Sequence, residues 1–305
     1  MKNIAIVGGS GFIGTQTASV LVNNKYDVTI IDIVKTDLQL KDNLKFIECD
    51  ATNLIELKKI FKSNNFDAVF MLAAISNSED NLIDIPNSIN QNILSLTNVL
   101  ECVRTFNVKR IIFSSTVWVY SVSNLKKVNE ETELTIGKSN HIYTTCKLMC
   151  EALIKNYNTL YNVNYTILRY GIAYGPGCNP DTILYTFIKN AINNKTCTIT
   201  GNGSIYRNFL YVTDHANANL LSLNEKAKNK IINVDGDEKV TLSEVAETVK
   251  ELHGSLNVKY TNKRDGDYKG KVVSKNRSRK LLNWKPKINF KLGASIMYEY
   301  LKNTK

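Results

Sequence analysis

Tyr143 and Lys147 are the side chains in this sequence with the clearest potential for chemistry. They stand four residues apart in a stretch with helical periodicity, so they project from the same face of the predicted helix. A free tyrosine has a pKa of about 10 and is a poor base near neutrality. A neighbouring ammonium stabilises the phenolate, so we expect Lys147 to lower the pKa of Tyr143. The phenolate would then remove the proton of a substrate alcohol.

A third hydroxyl-bearing side chain, Thr116, closes a predicted strand that begins at Arg110. Ligands of open α/β sheets bind at the carboxyl ends of the strands, so Thr116 is expected beside the site. It would hold the same substrate oxygen that Tyr143 deprotonates. Ser114 and Ser115 offer competing hydroxyls, and Thr116 is the favoured candidate.

A glycine-rich loop connects the predicted first strand, 4–7, to the first helix. Gly8, Gly11 and Gly14 follow one another at intervals of three residues. Such a loop lets the backbone approach a pyrophosphate, and the N-terminus of the helix offers free N–H groups to it. This context predicts a dinucleotide-binding site. The positive ring of an oxidised nicotinamide dinucleotide would further stabilise the Tyr143 phenolate, and its ribose would lie within reach of the lysine.

Asp32 ends the predicted second strand, 18 residues after Gly14. A carboxylate there accepts hydrogen bonds from the adenosine ribose and repels a 2′-phosphate, so NAD is favoured over NADP. Lys35 follows closely and could contact a 2′-phosphate, so NADP remains the alternative cofactor. Asp50, after the third strand, is expected near the adenine amino group. It could also cap the next helix, and the two roles can coexist.

Apolar runs alternate with helical stripes over the first 170 residues, which is typical of a parallel sheet with crossover helices. Six strands are predicted, at 4–7, 27–32, 44–48, 68–72, 110–114 and 165–169. We therefore predict an α/β fold, a Rossmann-type doubly wound parallel sheet with a smaller mixed α/β C-terminal substrate lobe. The NAD-binding domain would comprise residues 1–171 and about 206–235. The substrate-binding lobe would comprise 172–205 and 236–305. Helices are predicted in the C-terminal part of the chain around 181–193, 213–223, 241–253 and 290–301, with residues 213–234 returning to the first domain.

The net charge of +11 raises the question of a nucleic-acid partner. The basic residues are dispersed, however, and the densest run, 262–280, contains Asp265 and Asp267 and no series of aromatic residues. A nucleic-acid partner is therefore not favoured. A solvated basic surface with some contacts to substrate phosphate is the preferred interpretation.

The remaining composition indicates an ordinary globular protein, with 43% hydrophobic residues in a chain of 305. No apolar run is long enough for a membrane span or a signal peptide, so no membrane association and a cytoplasmic location are expected. The six cysteines have neither Cys-x-x-Cys spacing nor a histidine at ligand spacing. Buried thiols are therefore expected, notably Cys146 and Cys150, with no zinc or other metal site.

With these residues taken together, the sequence resembles the NAD-dependent sugar epimerase/dehydratase branch of the extended short-chain dehydrogenase/reductase family. The resemblance covers nearly the whole chain and keeps the order of the family's motifs. Beyond the glycine loop the matching segments are Leu72-Ala73-Ala74, Asn92, Ser115-Thr116, Val119-Tyr120, Tyr143 with Lys147, Leu168-Arg169-Tyr170, Tyr174-Gly175-Pro176-Gly177, Gly201-x-Gly203, Arg207-x-Phe209-x-Tyr211-Val212-x-Asp214 and Leu282-Asn283-Trp284-Lys285-Pro286.

This resemblance implies a set of site residues. The catalytic residues would be Thr116, Tyr143 and Lys147. The NAD contacts would come from Gly8, Gly11, Phe12, Ile13, Gly14, Asp32, Asp50, Ala51, Leu72, Ala73, Ala74, Ser114, Tyr143, Lys147 and Tyr170. The substrate contacts would come from Ser76, Thr116, Trp118, Tyr143, Arg207 and Arg264. The two arginines match those that grip the diphosphate in UDP-glucose 4-epimerase-like members, and arginine's planar fork suits a diphosphate. Members usually form homodimers through two helices, here about 87–106 and 141–161.

Three departures from the family pattern bear on the reaction. Sugar 4,6-dehydratases have an acidic pair directly after the catalytic threonine, where this chain has Val117 and Trp118. Decarboxylating members have a glutamate at the second of these positions, so neither reaction is favoured. An asparagine that often contacts the substrate diphosphate is replaced by Ile172, which weakens the assignment to a UDP-hexose in particular.

Three functions follow from these observations. The favoured one is a nucleotide-sugar epimerase that oxidises its substrate transiently with tightly bound NAD, and C4 is the expected position of epimerisation. The second is an NAD(P)-dependent sugar-nucleotide ketoreductase or alcohol dehydrogenase, which the apolar Trp118 and Ile172 suggest. The remote third is a non-catalytic Rossmann protein that binds RNA or a partner through its basic surface. The intact Thr116, Tyr143 and Lys147 set argues against it.

Overall fold

A seven-stranded parallel sheet forms the centre of the protein, and its strands lie side by side in the order Lys230–Val234, Tyr165–Tyr170, Arg110–Thr116, Ala68–Met71, Asn3–Val7, Asp27–Asp32 and Leu44–Glu48. The computed structural model describes residues 1–76, 83–262 and 270–304. The strands of this sheet are β1 Asn3–Val7, β2 Asp27–Asp32, β3 Leu44–Glu48, β4 Ala68–Met71, β5 Arg110–Thr116, β7 Tyr165–Tyr170 and β12 Lys230–Val234. All six predicted strands are confirmed, and the Rossmann-type sheet with them.

In the part of the chain that the structure describes, eight short strands form pairs outside this sheet. They are β6 Lys127–Val128, β8 Ile172–Tyr174, β9 Cys197–Thr200, β10 Tyr206–Arg207, β11 Phe209–Tyr211, β13 Val240–Thr241, β14 Val258–Thr261 and β15 Val272–Val273. Strand β8 pairs with β11, β9 with β14, β10 with β13 and β6 with β15. These pairs shape the C-terminal half of the chain around the carboxyl edge of the large sheet.

Ten α-helices are found in the described residues. They are α1 Phe12–Asn23, α2 Leu54–Asn64, α3 Ile85–Ile89, α4 Ser95–Thr105, α5 Ile142–Tyr161, α6 Ile183–Ile192, α7 Val212–Ser222, α8 Leu242–His253, α9 Asn276–Leu282 and α10 Phe290–Asn303. A π-helical turn, Asn90–Leu94, joins α3 to α4, so the predicted long helix is interrupted by a bulge at Asn92. A 3-10 helix, Val117–Val122, directly follows β5 and has no counterpart in the predicted elements.

The strands of this sheet have nearly continuous apolar sequences because helices cover both faces of the sheet. One core packs α2, α4 and α5 against one face, with Leu57, Leu100 and Ile154 fully buried. A second core covers the other face, where α1 lies beside α7. A third core packs α6, α8 and α10 together in the C-terminal half. The carboxyl edge of the sheet therefore faces this third group of helices.

Two smaller expectations can be compared with the structure. Cys146 and Cys150 are buried free thiols, as predicted. The four predicted C-terminal helices are present as α6, α7, α8 and α10. Over residues 1–76, 83–262 and 270–304, no helix has the length and apolar character needed to cross a membrane. The division of the chain into two domains at the stated boundaries stays a prediction.

Candidate active site

A cavity of about 500 Å³ lies at the carboxyl edge of the sheet, where the ends of β1, β4, β5 and β7 meet the C-terminal half. Many residues that the sequence singled out line it together. They are Gly8, Gly11, Phe12, Ile13, Gly14, Leu72, Ala74, Ser76, Ser114, Thr116, Trp118, Tyr143, Lys147 and Tyr170. The glycine loop and the three candidate catalytic side chains thus share one space.

Thr116 is the last residue of β5 and begins the 3-10 helix that follows. Its Oγ1 accepts a hydrogen bond from the backbone N–H of Trp118 at 3.2 Å, which fixes the side chain as a helix cap. The neighbouring hydroxyls have other partners: Ser114 Oγ donates to the Met71 carbonyl and Ser115 Oγ donates to Glu151. Thr116 is therefore the hydroxyl of the three that remains suited to a substrate oxygen.

Tyr143 and Lys147 lie one turn apart at the N-terminal end of α5. The Lys147 Nζ lies 5.5 Å from the centroid of the Tyr143 ring and donates a 2.7 Å hydrogen bond to the carbonyl of Ser114. Strand β5 therefore orients the ammonium between the phenol and the strand end. The lysine side chain is only 2% exposed, so its charge acts in a poorly solvated space.

Burial shifts the pKa values of both side chains away from their ordinary values. Burial in the cavity wall raises the pKa of Tyr143, and Cys150 raises it further. Burial also lowers the pKa of Lys147 to about 8. That Lys147 and the positive nicotinamide ring together lower the pKa of Tyr143 stays a prediction. The ammonium is directed at Ser114, and the loss of solvent dominates both groups.

The glycine loop has the shape that a dinucleotide requires. Gly8 has φ +81°, and a Cβ there would meet the backbone N of Ala73 at 2.3 Å. A Cβ on Gly14 would lie 2.4 Å from the Gly8 carbonyl, so this glycine lets α1 pack against the loop. Gly11 precedes α1 without a side-chain cap, and its Cβ would meet nothing closer than 3.5 Å. The first N–H groups of α1 are thus available to a pyrophosphate, and the loop fits NAD.

Asp32 lies at the end of β2 and accepts the backbone N–H of Ser10 at 2.9 Å, which ties the carboxylate to the glycine loop. Asp50 follows β3 and accepts the N–H of Thr52 at 2.8 Å. The cap of α2 is Asn53, whose side chain accepts from Glu56 N. The alternative role of Asp50 as the helix cap is therefore wrong. Both carboxylates stand at the strand ends expected for adenosine contacts, but neither they nor the predicted NAD contacts Ala51 and Ala73 line the cavity.

Tyr170, the last residue of β7, lies at the floor of the cavity. Its hydroxyl donates to Asn219, whose amide donates to Thr17 Oγ1 at 2.8 Å. The ring of His215 packs edge-on against Tyr170, with 4.8 Å between the ring centroids. This buried chain joins α1 to α7 behind the cavity, so Tyr170 orients the cofactor-side helix as well as lining the space.

A second, smaller cavity of about 20 Å³ adjoins the first. Arg207 lines it, together with Asn208, Asp235 and Lys271, and Arg207 donates to the carbonyl of Tyr206 at 3.0 Å. The second predicted diphosphate ligand, Arg264, lies outside the described residues. Arg207 therefore lines a different cavity from Tyr143, and Trp118 and Ile172 line both cavities.

Sequence analysis missed Asp235, which lies at the end of β12 and is 1% exposed. Its carboxylate accepts from the Asn208 amide at 2.9 Å and from the Gly236 N–H. Gly171 makes room for it, because a Cβ there would lie 2.1 Å from the carboxylate. Burial raises the pKa of Asp235 to about 7. No signal in the sequence places this aspartate beside Arg207, since strand pairing brings them together.

Replacing Asp235 by Asn should make the protein more stable at alkaline pH relative to the wild type. The pKa of this carboxyl group is about 7 in the folded protein and about 4 in the unfolded chain. Its contribution to stability is therefore complete below about pH 4, where the group is protonated in both states, and is lost as the pH rises through about 7. The melting temperature of the wild type should therefore fall between about pH 5 and 8 by several degrees more than that of Asp235→Asn. Asp237→Asn, at an exposed carboxylate nearby, is the control; equal pH dependence in all three proteins would contradict the prediction.

His141 is a second residue that sequence analysis missed. It is the last residue before α5, lines the main cavity, and packs its ring 5.5 Å from Trp118 and 6.4 Å from Tyr143. Burial lowers the pKa of the imidazole, and Nδ1 has no hydrogen-bond partner among the described residues. Its position two residues before the candidate base is the signal that could have found it.

A buried ion pair supports the site from behind. Arg169, on β7, donates twice to Glu151, at 3.0 Å and 2.7 Å. Glu151 lies one turn beyond Lys147 and also accepts from Ser115 Oγ at 2.5 Å. The other end of the guanidinium donates to Tyr120 at 2.9 Å. This network therefore connects α5, which carries Lys147, to the end of β5, which carries Thr116, and to β7.

A family model for NAD-dependent epimerases and dehydratases matches residues 4–235, about three quarters of the chain. The chain belongs to this NAD-dependent epimerase/dehydratase family.

A curated relative and two solved structures are similar to this family member over nearly their whole length. A UDP-glucuronate 4-epimerase of Thermodesulfobacterium geofontis is 29% identical, covering 97% of this chain and 95% of the relative. The crystal structure of a Thermotoga maritima UDP-glucose 4-epimerase with UDP-glucose has a TM-score of 0.91 at 27% identity and covers 99% of both chains. That of a Bacillus cereus UDP-glucuronic acid 4-epimerase with UDP-glucuronic acid and NAD has a TM-score of 0.90 at 26% identity, covering 98% and 99%.

The family assignment confirms four expectations for this epimerase/dehydratase-family enzyme: the family, the α/β Rossmann-type fold, enzymatic activity and NAD as the cofactor. It speaks against the non-catalytic RNA- or partner-binding protein, because the family is one of enzymes. The enzyme therefore belongs among the nucleotide-sugar epimerases and dehydratases. The individual roles of the site residues stay predictions.

Proposed function

We propose that this enzyme is a nucleotide-sugar C4 epimerase that oxidises its substrate transiently and reduces it again on the opposite face. One observation carries the proposal: Thr116, Tyr143 and Lys147 line the same cavity as the glycine loop. The two positions after Thr116 hold Val117 and Trp118, which carry no acid for eliminating water or assisting decarboxylation. A site that can move a proton and a hydride, and nothing further, is suited to epimerisation.

The residues have distinct roles in this proposal. Thr116 Oγ1 donates to the oxygen of the substrate hydroxyl while Tyr143 removes its proton, leaving a keto sugar. When the keto group is reduced, Tyr143 returns the proton to the same oxygen. Lys147 supplies positive charge beside the phenolate and would hold the nicotinamide ribose. Arg207 would bind the diphosphate and keep it anchored while the sugar turns over.

Gly8, Gly11, Gly14 and Asp32 would hold NAD along the glycine loop and the end of β2. When bound there, NAD would supply the hydride acceptor and donor for the reaction, and its positive ring would favour the phenolate form of Tyr143. The protein itself opposes that form by burial. The base is therefore expected to become active when the cofactor is in place.

Net oxidoreduction is the second candidate, because Trp118 and Ile172 make the substrate space apolar. Turnover of a nucleotide sugar deuterated at C4 distinguishes the two. An epimerase interconverts the C4 isomers without added cofactor and retains the deuterium, since hydride returns from the same bound dinucleotide. A dehydrogenase, or a ketoreductase working in the oxidative direction, would instead transfer the deuterium to added NAD(P), giving stoichiometric amounts of deuterated NAD(P)H and a keto sugar. That second outcome, without formation of a C4 isomer, would contradict the proposal.

A homodimer is also proposed. Apolar side chains on the outer surfaces of the helical segments 85–105 and 142–161 are exposed, among them Ile89, Leu94, Met149 and Leu160. Pairing of these two helices with those of a second copy would cover them. Light scattering on the purified protein should give twice the chain mass of 34.4 kDa.

A further inference from the structure

The main cavity and the second cavity meet at Trp118 and Ile172. Among the described lining residues, these are the two that belong to both spaces. Tyr143 lies on one side of this junction and Arg207 on the other. A nucleotide sugar that reacts at Tyr143 while Arg207 holds its diphosphate must therefore place its pyranose ring at the junction.

Trp118 is firmly held in this wall. Its backbone N–H donates to Thr116 Oγ1, and its indole packs edge-to-face on His141 at an interplanar angle of 65°. The same segment is anchored by the buried Val117 and Val119. Packing of this kind fixes the side chain against a ligand instead of leaving it free to rotate away.

Ile172 is held by the C-terminal half of the chain. It begins β8, where it is registered against Phe209 of β11, and its side chain packs against the third core. The junction is therefore formed by an indole and a branched hydrocarbon, each on a separate supporting element. A sugar substituent that touches them is removed from water by apolar groups.

The cations that line the two cavities have other roles: Arg207 is assigned to the diphosphate in the proposed function, and the two lysines donate to backbone carbonyls. Lys147 donates to the carbonyl of Ser114, and Lys271 donates to the carbonyls of Ser123 and Leu125 at 2.7 Å and 3.0 Å. Burial lowers the pKa of His141, so this imidazole is neutral near pH 7. A carboxylate on the sugar would thus be desolvated against Trp118 and Ile172 without a dedicated cation among the described residues, at a considerable free-energy cost.

We propose, building on the epimerase function above, that Trp118 and Ile172 select the sugar. The preferred substrate is a nucleotide sugar whose uncharged pyranose carries a methyl group, as in a 6-deoxy or an N-acetyl sugar, in preference to a uronate. One methylene or hydroxyl difference in such a pocket changes kcat/KM by about ten- to two-hundredfold. Trp118 and Ile172 are thus specificity-determining residues for the proposed epimerisation.

The test compares kcat/KM for UDP-glucose, UDP-6-deoxyglucose, UDP-N-acetylglucosamine and UDP-glucuronate. At least one of the two methyl-bearing sugars should exceed UDP-glucose by about tenfold, and UDP-glucuronate should be the poorest substrate. Which methyl sugar is preferred identifies the substituent that lies at the junction. A kcat/KM for UDP-glucuronate equal to or above that of both methyl sugars would overturn the proposal.

Two variants at one position supply a matched comparison. Ile172→Asn replaces hydrocarbon by an amide and should lose the preference for the methyl sugar, by about tenfold. Ile172→Val keeps an apolar wall and should preserve the order of the four sugars. Trp118→Phe provides the same control on the other wall. An unchanged order in Ile172→Asn, in a variant that still retains its bound NAD, would refute the role of this wall.

Calorimetric titration of the same four nucleotide sugars separates this proposal from the epimerase function. If none of them is epimerised but the methyl sugars bind about tenfold more tightly than UDP-glucuronate, the proposed reaction fails and the selectivity stands. If they are epimerised and the binding order is flat, the reaction stands and the selectivity fails. Each result therefore bears on one claim only.

Discussion

Replacing Tyr143 by Phe should lower kcat for epimerisation by about a hundred- to ten-thousandfold. The substitution removes the group that takes and returns the substrate proton, while the ring keeps its place on α5 beside Lys147. KM and the content of bound NAD should change little, because the glycine loop and Arg207 are untouched. The measurement is steady-state kinetics together with quantification of the released dinucleotide.

Tyr157→Phe is the matched control for this variant. Tyr157 lies on the same helix, but its hydroxyl donates to Glu101 at 2.7 Å, away from the cavity. Its loss should leave kcat within about twofold of the wild type, since it removes one partly exposed hydrogen bond. A Tyr143→Phe enzyme as active as Tyr157→Phe would show that another group moves the proton.

Replacing Arg169 by Met should reduce the free energy of unfolding by about 3–5 kcal/mol. The substitution leaves the Glu151 carboxylate, itself 3% exposed, without its guanidinium partner. Two hydrogen bonds to that carboxylate and one to Tyr120 are lost at the same time. Chemical denaturation followed by circular dichroism measures the change.

Arg279→Met is the control, because the pair of Arg279 with Asp237 has side chains 53% and 37% exposed. An exposed pair contributes at most about 1 kcal/mol, so this variant should be nearly as stable as the wild type. Combining Arg169→Met with Glu151→Gln should restore part of the lost stability, since the uncompensated charge is removed. Equal losses in the two single arginine variants would mean that burial of the Glu151–Arg169 pair has no special importance.

The sheet could be predicted from sequence because buried parallel strands are continuous apolar runs, as in Ile4–Val7, and short loops separate them from the helices. The shared location of Thr116, Tyr143 and Lys147 followed from a strand end and from four-residue helical spacing. These are local patterns that can be read from residues close to one another in the sequence. The turn chemistry was less certain: Asn53 caps α2, three residues beyond Asp50.

The electrostatics of the site could not be predicted in the same way. The pKa of Tyr143 depends on how much solvent the folded cavity excludes, which a spacing of four residues does not reveal. Asp235 was missed because β12 joins the sheet from a distant part of the chain and only then lies beside Asn208. His141 was missed because its contact with Trp118 crosses from one segment to another.

The position of β12 has a consequence for how the molecule is assembled. This outermost strand, Lys230–Val234, pairs with β7 in register from Thr166 to Tyr170, although some sixty residues separate them. A nascent chain that has emerged only as far as β8 presents β7 as an unpaired edge, which other chains can extend. Because Tyr170 pairs with Val234, the strand that ends at the floor of the cavity gains its second neighbour only after the chain has been synthesised as far as residue 234.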